Sequence, residues 1–161
     1  MPEASDRKTL DHANVIVIPP LLHLVSIAFG IVAQWLLRLE FPLTSVFRAV
    51  SGIALLGGGG ALSMSFSRAF RRAGQDRNPN TPTPRVITTG VYRYSRNPAY
   101  VALIAIQVGI GLLLDNVWIL LVLIPVLVIM HHGVIIREEA YLERKFGDEY
   151  LRYKEGVRRW L

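Results

Sequence analysis

The segment Thr88–Tyr100, TTGVYRYSRNPAY, decides the fold because it leads directly into the apolar run VALIAIQVGIGLLL at 101–114. Asn is favoured immediately before a helix and Pro at its first position, so Asn97 and Pro98 predict that a helix begins here. The uncharged stretch 97–114 is close to the length that crosses a bilayer. Its polar entrance contains three tyrosines and two arginines, more than a membrane anchor needs, and this indicates a binding site.

Four stretches carry no Asp, Glu, Lys or Arg and qualify as membrane-spanning helices: 14–37, 49–67, 97–114 and 116–136. A bilayer core of about 30 Å needs about 20 helical residues. The first stretch lacks the cleavage pattern of a signal peptide. We therefore predict an all-α integral membrane protein, a single domain over 1–161, with four transmembrane helices at about 15–39, 46–67, 98–114 and 117–136. Pro19 and Pro20 suit the start of the first helix, because a missing N–H costs little there.

The positive charges are distributed asymmetrically around these spans. Of 18 Lys and Arg residues, seven lie between the second and third spans, seven follow the fourth, and none lies between the third and fourth. The positive-inside rule then places residues 1–14, the connecting loop 68–97 and residues 137–161 in the cytoplasm. Topology explains the net charge of +6, so we expect the lipid bilayer, and not nucleic acid, as a partner. The sequence carries no indication of oligomeric state.

Two segments of the first half leave alternatives open. The run Gly57–Gly60 lies in the second span, where small residues allow a neighbouring helix to approach closely; a narrow ligand slot is the alternative. In the loop that follows, prolines among residues 68–85 exclude a long regular helix. That loop is either a flexible linker or a functional segment.

The third and fourth spans form a hairpin that turns at Asp115 and Asn116. Both spans meet the cytoplasm at their other ends, where RYSRNPAY (93–100) enters the third and REE (137–139) leaves the fourth. The hairpin therefore predicts that these two charged motifs lie close together.

The two motifs have complementary charge. A helix that begins at Asn97 and Pro98 offers unpaired N–H groups, and Arg96 beside it suits a carboxylate; a capped helix with an interfacial anchor is the plain alternative. On a helix, adjacent residues point about 100° apart, so only one of Glu138 and Glu139 faces a pocket. The other is expected to pair with an arginine: Arg93, Arg137 or Arg144.

The remaining polar residues give weaker signals. His131 and His132 are adjacent and face different directions, and the chain has no Cys, so we predict no metal site; a His that faces the cavity is a candidate proton acceptor. From Tyr141 onward, apolar residues recur at three- or four-residue steps, which predicts a C-terminal amphipathic helix over 137–161, interrupted at Gly147. It would lie on the membrane surface or cover a pocket.

Together the two motifs resemble those of the isoprenylcysteine carboxyl methyltransferase family, whose superfamily includes the phospholipid N-methyltransferases. The resemblance is carried by GVYRYSRNPAY at 90–100 and by REEAYLERKFGDEYLRY at 137–153, and it covers roughly 72–161. It implies an integral membrane enzyme that uses S-adenosylmethionine, releases S-adenosylhomocysteine and binds both where the last two helices meet the cytoplasm.

The same resemblance implies roles for individual residues. The amino-acid end of the cofactor would be bordered by one set: Tyr92, Arg96, Asn97, Pro98 and Tyr100. Glu138 and Glu139 would bind its ammonium group or ribose hydroxyls, or frame the catalytic pocket together with Arg137. Many family members have His where this chain has Asn97; Asn donates a hydrogen bond but cannot become cationic.

The acceptor is expected to be lipophilic or membrane-associated, such as the carboxylate of a prenylated cysteine. A phospholipid amine and a small thiol are the alternatives. Outside catalysis, a small four-helix transporter or a non-catalytic membrane scaffold remains possible, although coupled transport needs ionisable groups at membrane depth, which the spans carry only near their ends. The compact form resembles prokaryotic members, which implies the inner membrane.

Overall fold

The computed structural model of the protein describes residues 13–75 and 82–161. Within these two ranges the chain is helical and forms no β-strand. Besides a short 3-10 helix at Gly90–Arg93 and a π-helical turn at His131–Ile135, it contains seven α-helices: α1 Pro19–Leu36, α2 Ser45–Ala73, α3 Pro98–Leu113, α4 Val117–Leu121, α5 Leu123–Met130, α6 Ile136–Phe146 and α7 Asp148–Gly156.

Three helices in the described part of the chain are long and apolar enough to cross a membrane. They are α1, α2 and the 30-residue helix Val117–Phe146, which α4, α5, the π turn and α6 build together. The remaining predicted span, 98–114, corresponds to α3, which is apolar but has only 16 residues. The all-helical architecture with membrane-length helices is thus confirmed, whereas the count of four spans stays a prediction.

The first helix begins where the sequence predicted. Pro19 and Pro20 occupy the first turn of α1, where their missing N–H groups cost nothing. The predicted end at Leu39 is wrong, because Leu37 is extended and α1 stops at Leu36. Residues 1–12, which hold most of the predicted N-terminal segment, lie outside the described residues.

The second helix is longer than predicted. The span was expected to end near Ser67, but α2 continues to Ala73 because neither Gly nor Pro interrupts it there. Gly74 then ends it in a left-handed conformation with φ 65°, which glycine adopts without strain. The loop was predicted to start at residue 68 but starts at residue 74, six residues later. Its part at 76–81 lies outside the described residues.

Helices α2 and α3 pack closely through glycines. A Cβ added to Gly59 would lie 3.0 Å from the Ala102 carbonyl oxygen, and one added to Gly109 would lie 2.9 Å from the Gly52 carbonyl oxygen. By contrast, a Cβ at Gly57, Gly58 or Gly60 would meet no atom of the structure within 4 Å. The packing interpretation of the glycine run therefore holds for Gly59 alone among its four members.

This contact makes a prediction about two glycine substitutions. Gly109→Ala should destabilise the protein by about 1–3 kcal/mol, because its Cβ would press on the backbone of α2, which cannot rotate away. Gly58→Ala, in the same helix pair but with open space around it, should leave stability unchanged or raise it by up to about 1 kcal/mol. Thermal unfolding of both variants in detergent tests this, and equal losses would contradict the assigned contact.

The hairpin between α3 and α4 turns as predicted. Asp115 adopts φ 49°, and the Asn116 side chain accepts a hydrogen bond from the Ile119 N–H at 3.2 Å, which caps α4. Helix α1 is tied to α3 by a buried pair in which His23 Nδ1 lies 2.6 Å from Gln107 Oε1. The apolar core sits between α3 and the long helix and includes Val126 and Met130.

The C-terminal segment differs from the single helix predicted for 137–161. Its first part, α6, continues the long helix without a break. Gly147, with φ 51°, separates α6 from α7, as predicted. Helix α7 ends at Gly156, and residues 157–161 form a non-helical tail that folds back toward the start of α3.

Candidate functional site

The structure brings the two charged motifs together at one end of the helix bundle. Tyr100, in the first turn of α3, donates a hydrogen bond from its hydroxyl to Glu138 Oε2 at 2.7 Å. Arg96, just before α3, places its Nη1 3.0 Å from Glu139 Oε1. Both contacts join RYSRNPAY to REE across more than 35 residues of sequence. The hairpin prediction is confirmed at atomic distance.

Glu139 is the centre of a buried ion-pair cluster. Its carboxylate is 6% exposed, and it accepts two hydrogen bonds from Arg159, from Nε at 3.0 Å and from Nη2 at 2.8 Å. Arg96 approaches the same carboxylate from the other side. Two guanidinium groups therefore compensate one buried carboxylate, so the cluster holds an excess positive charge. The hydrogen bonds to Glu139 raise the pKa of Arg159 above its usual value.

The partners predicted for this glutamate were wrong. None of the three arginines proposed from sequence, Arg93, Arg137 and Arg144, makes the contact; Arg96 and Arg159 do. Arg137 instead is exposed and donates a hydrogen bond from Nη1 to the Asn14 carbonyl oxygen at 3.3 Å. The structure therefore does not bring Arg137 into the cluster with Glu138 and Glu139.

The Asn97 side chain binds the C-terminal tail and does not cap α3. It stands before α3 as predicted, with Pro98 buried at the first helical position, but its side chain makes no capping hydrogen bond. Its Nδ2 donates to the Arg159 carbonyl oxygen at 3.0 Å. The expected side-chain cap is therefore wrong, because the tail offers a carbonyl acceptor that the amide group can reach.

The tail and α7 are hydrogen-bonded to the segment that precedes α3. The Arg96 N–H donates to the Arg158 carbonyl oxygen at 3.0 Å, and the Tyr153 hydroxyl donates to the Tyr92 carbonyl oxygen at 2.7 Å. These bonds fix the Arg159 guanidinium beside Glu139. Sequence reasoning missed Arg159; the only signal was a basic pair, Arg158 and Arg159, at the end of a tyrosine-rich amphipathic segment.

Beside this cluster lies a small cavity of about 100 Å³ whose lining includes Tyr92, Arg96, Tyr150 and Tyr153. Arg96 is buried there, with its side chain 10% exposed. Its Nε and Nη1 atoms make no aligned hydrogen bond to any described residue, although Nη1 lies within ion-pair distance of Glu139. Because a buried unsatisfied donor is costly, these atoms point to a missing acceptor.

The tyrosines around the cavity are held neutral. Burial raises the pKa of Tyr150 to about 12, and the negative charge of Glu139 adds to the effect. Burial is also the main cause that raises the pKa values of Tyr92 and Tyr153. These phenols are therefore neutral at neutral pH: Tyr153 donates a hydrogen bond to the Tyr92 carbonyl oxygen, and Tyr150 is hydrogen-bonded to Arg96.

Comparison with known proteins identifies a family and individual relatives. A family model described as phospholipid methyltransferase matches residues 47–149. A Haemophilus influenzae protein described only as uncharacterized is 47% identical over 62 residues, which cover 38% of this chain and 98% of that protein. The Protein-S-isoprenylcysteine O-methyltransferase of Schizosaccharomyces pombe is 38% identical over 72 residues, which cover 45% of this chain and 30% of that protein. No solved structure matches the chain.

Proposed function

Because the chain belongs to the phospholipid methyltransferase family, we propose that it transfers a methyl group from S-adenosylmethionine to a lipophilic or membrane-associated acceptor. The observation that carries the proposal is Arg96, a buried guanidinium with two nitrogens that lack an aligned hydrogen bond. It lies where the two sequence motifs meet, within reach of Glu139 and the small cavity. A buried cation with spare donors is suited to the carboxylate of an amino acid.

The donor set fits the amino-acid end of the cofactor. Arg96 offers Nε and Nη1, which lack an aligned hydrogen bond, to the carboxylate, while Glu138, hydrogen-bonded to Tyr100, offers a carboxylate to the ammonium group. Glu139 is committed to two arginines, so we assign it the role of positioning Arg96. Asn97 and Pro98 set the start of α3 that places Tyr100. Arg137, directed at Asn14, is left out of the proposed site.

The aromatic residues fit the rest of the cofactor. Tyr92, Tyr150 and Tyr153 surround the cavity with ring faces, which attract a sulfonium cation and stack on a nucleobase. The cavity itself is too small, since ligand pockets hold about 300–1,000 Å³. Its wall at 85–87 also borders a second cavity of about 710 Å³. Cofactor binding would therefore require the small cavity to widen, and the wall at 85–87 would keep the two cavities apart.

Methyl transfer requires little acid–base catalysis from the protein. When bound, S-adenosylmethionine supplies a methyl group already activated by its sulfonium. The chain contributes orientation of the reactants and exclusion of water. The neutral tyrosines that line the cavity serve the second task, and the tail at 157–161 is hydrogen-bonded to the main chain of Arg96.

For the acceptor we propose the carboxylate of a prenylated cysteine or an analogous group, with a phospholipid amine or a small thiol as alternatives. A carboxylate needs no base, whereas an amine or thiol must lose a proton to a group such as Glu138. We further propose that α3 also crosses the membrane, which gives four spans in total. The basic segments and both termini would then face the cytoplasm of a prokaryotic inner membrane.

Methyl transfer in whole membranes tests the proposed function. Membranes that contain the protein, incubated with radiolabelled S-adenosylmethionine, should incorporate label well above membranes from cells without it. Fractionation into lipid, protein and volatile pools then identifies the acceptor: label in the volatile pool indicates a small thiol, and label in phospholipid an amine. Equal incorporation with and without the protein, across several membrane sources, would contradict methyltransferase activity.

A further inference from the structure

A second cavity of about 710 Å³ lies between the end of α2 and the segment at 85–94. Four arginines line it: Arg68 and Arg72 on α2, and Arg85 and Arg93 on the facing segment. The lining also carries hydroxyl groups, including Thr88 and Thr89, and contains no Asp or Glu. None of these arginines lies within ion-pair distance of a carboxylate in the described parts of the chain.

The four arginines are exposed, so water screens their repulsion, but together they give the cavity a positive potential that attracts an anion. Arg68 and Arg72 are four residues apart on one helix, so their charged groups share a face and repel each other. Arg85 and Arg93 add two further positive charges across the cavity. The positive-inside rule accounts for basic residues on this side of the membrane, but it does not require four of them to line one concave space.

A second feature that favours an anion is that carbonyl groups at the C-terminal end of α2 are hydrogen-bonded. The last carbonyl groups of a helix carry partial negative charge, which would repel an anion. Here they are covered: the Gly74 N–H donates to the Arg71 carbonyl oxygen at 3.1 Å, and Arg85 Nη2 donates to that of Arg72 at 3.2 Å. The guanidinium groups therefore dominate the field in the cavity.

From these observations we propose that this cavity binds a phosphate group, carried by an anionic lipid headgroup or by a soluble phosphorylated compound. Arginine matches phosphate through paired hydrogen bonds, and the threonine hydroxyls provide additional donors. A zwitterionic headgroup fits poorly, since the lining offers no carboxylate to its ammonium group. The cavity shares the wall at 85–87 with the pocket proposed for the cofactor, but its lining contains none of the residues assigned to the cofactor, so we treat it as a second site.

Binding to delipidated protein in a nonionic detergent tests the proposal. Three probes are titrated by calorimetry: short-chain phosphatidic acid, short-chain phosphatidylcholine and glycerol 3-phosphate. Phosphatidic acid should bind, and the double variant Arg68→Gln/Arg72→Gln should weaken its binding by about 30-fold, roughly a factor of five for each arginine removed. Arg152→Gln, which removes an equal kind of charge from exposed α7 outside the cavity, should weaken it by less than about twofold.

The probes also separate the two sources of phosphate. Equal affinity for phosphatidic acid and glycerol 3-phosphate indicates a soluble ligand, whereas binding of the lipid alone indicates a membrane headgroup. The proposal is overturned if phosphatidylcholine binds equally well, if Arg152→Gln and the double variant lose the same affinity, or if S-adenosylhomocysteine displaces the phosphate probe competitively. Because the double variant removes repulsion, its thermal stability should match or exceed that of the wild type. If it fails to fold, the single variants should each lose about fivefold in affinity.

Discussion

Glu139→Gln should be the most destabilising conservative change at the charged end of the bundle, with a loss of about 3 kcal/mol in the free energy of unfolding. The carboxylate is 6% exposed and compensates two arginines, so its neutralisation leaves Arg96 buried beside Arg159 without a counter-ion. Gln can accept a hydrogen bond but carries no charge. For a chain of this length, the loss corresponds to a fall of about 10 °C in Tm.

Thermal unfolding in detergent measures this effect, and the chain offers a matched control. Glu143, one turn further along α6, pairs with Lys154, and both side chains are about one-third exposed. Glu143→Gln should therefore cost no more than about 1 kcal/mol, because water screens an exposed pair. In addition, Glu139→Gln combined with Arg159→Gln should be less destabilised than Glu139→Gln alone. Equal losses of stability in Glu139→Gln and Glu143→Gln would show that the buried ion-pair cluster stabilises the fold no more than an exposed ion pair does.

Much of the helical architecture could be predicted because it depends on local signals. Uncharged stretches located the helices, Pro19 and Pro20 marked the start of α1, and the turn at Asp115 followed from a polar pair between apolar runs. The predicted helix ends were wrong where the sequence has no residue that stops a helix at the predicted position. Helix α2 ran past Ser67 because the next residue able to stop it was Gly74.

The partner of Glu139 could not be predicted, for two physical reasons. Arg159 lies 20 residues along the chain, so its position depends on the turn at Gly147 and on the tail that folds back at Val157. In addition, the π turn at His131–Ile135 holds an extra residue compared with an α-helical turn. It shifts the rotational phase of everything that follows, so regular 100° steps could not decide which glutamate faces which partner.

The convergence of the two motifs, by contrast, could be predicted from the hairpin topology alone. Two adjacent helices joined by a short turn must bring their far ends together, whatever their rotation. Tyr100 and Glu138 are in contact as a consequence. Sequence therefore predicted which segments meet, and the structure supplied which atoms do so.

Arg96→Gln should weaken the binding of S-adenosylhomocysteine, which shares the amino-acid end of the methyl donor, by at least about 100-fold. The change removes the charge and two charge-assisted hydrogen bonds, each worth about 1.5–3 kcal/mol. The fold should persist, because Glu139 keeps both of its hydrogen bonds from Arg159. Calorimetry on the detergent-solubilised protein measures the affinity, and thermal unfolding confirms that the variant is folded.

Two further variants show whether the effect comes from carboxylate recognition. Arg96→Lys keeps the charge but loses the planar pair of donors, so its affinity should fall between those of the wild type and Arg96→Gln. Arg158→Gln removes an exposed charge near the same segment and should leave affinity within about twofold, because only the main-chain carbonyl of Arg158 contacts Arg96. Unchanged affinity in a folded Arg96→Gln variant would remove Arg96 from the site. In that case its unsatisfied nitrogens would have to be explained by a buried water or by residues outside the described ranges, and the cofactor would have to bind elsewhere on the bundle.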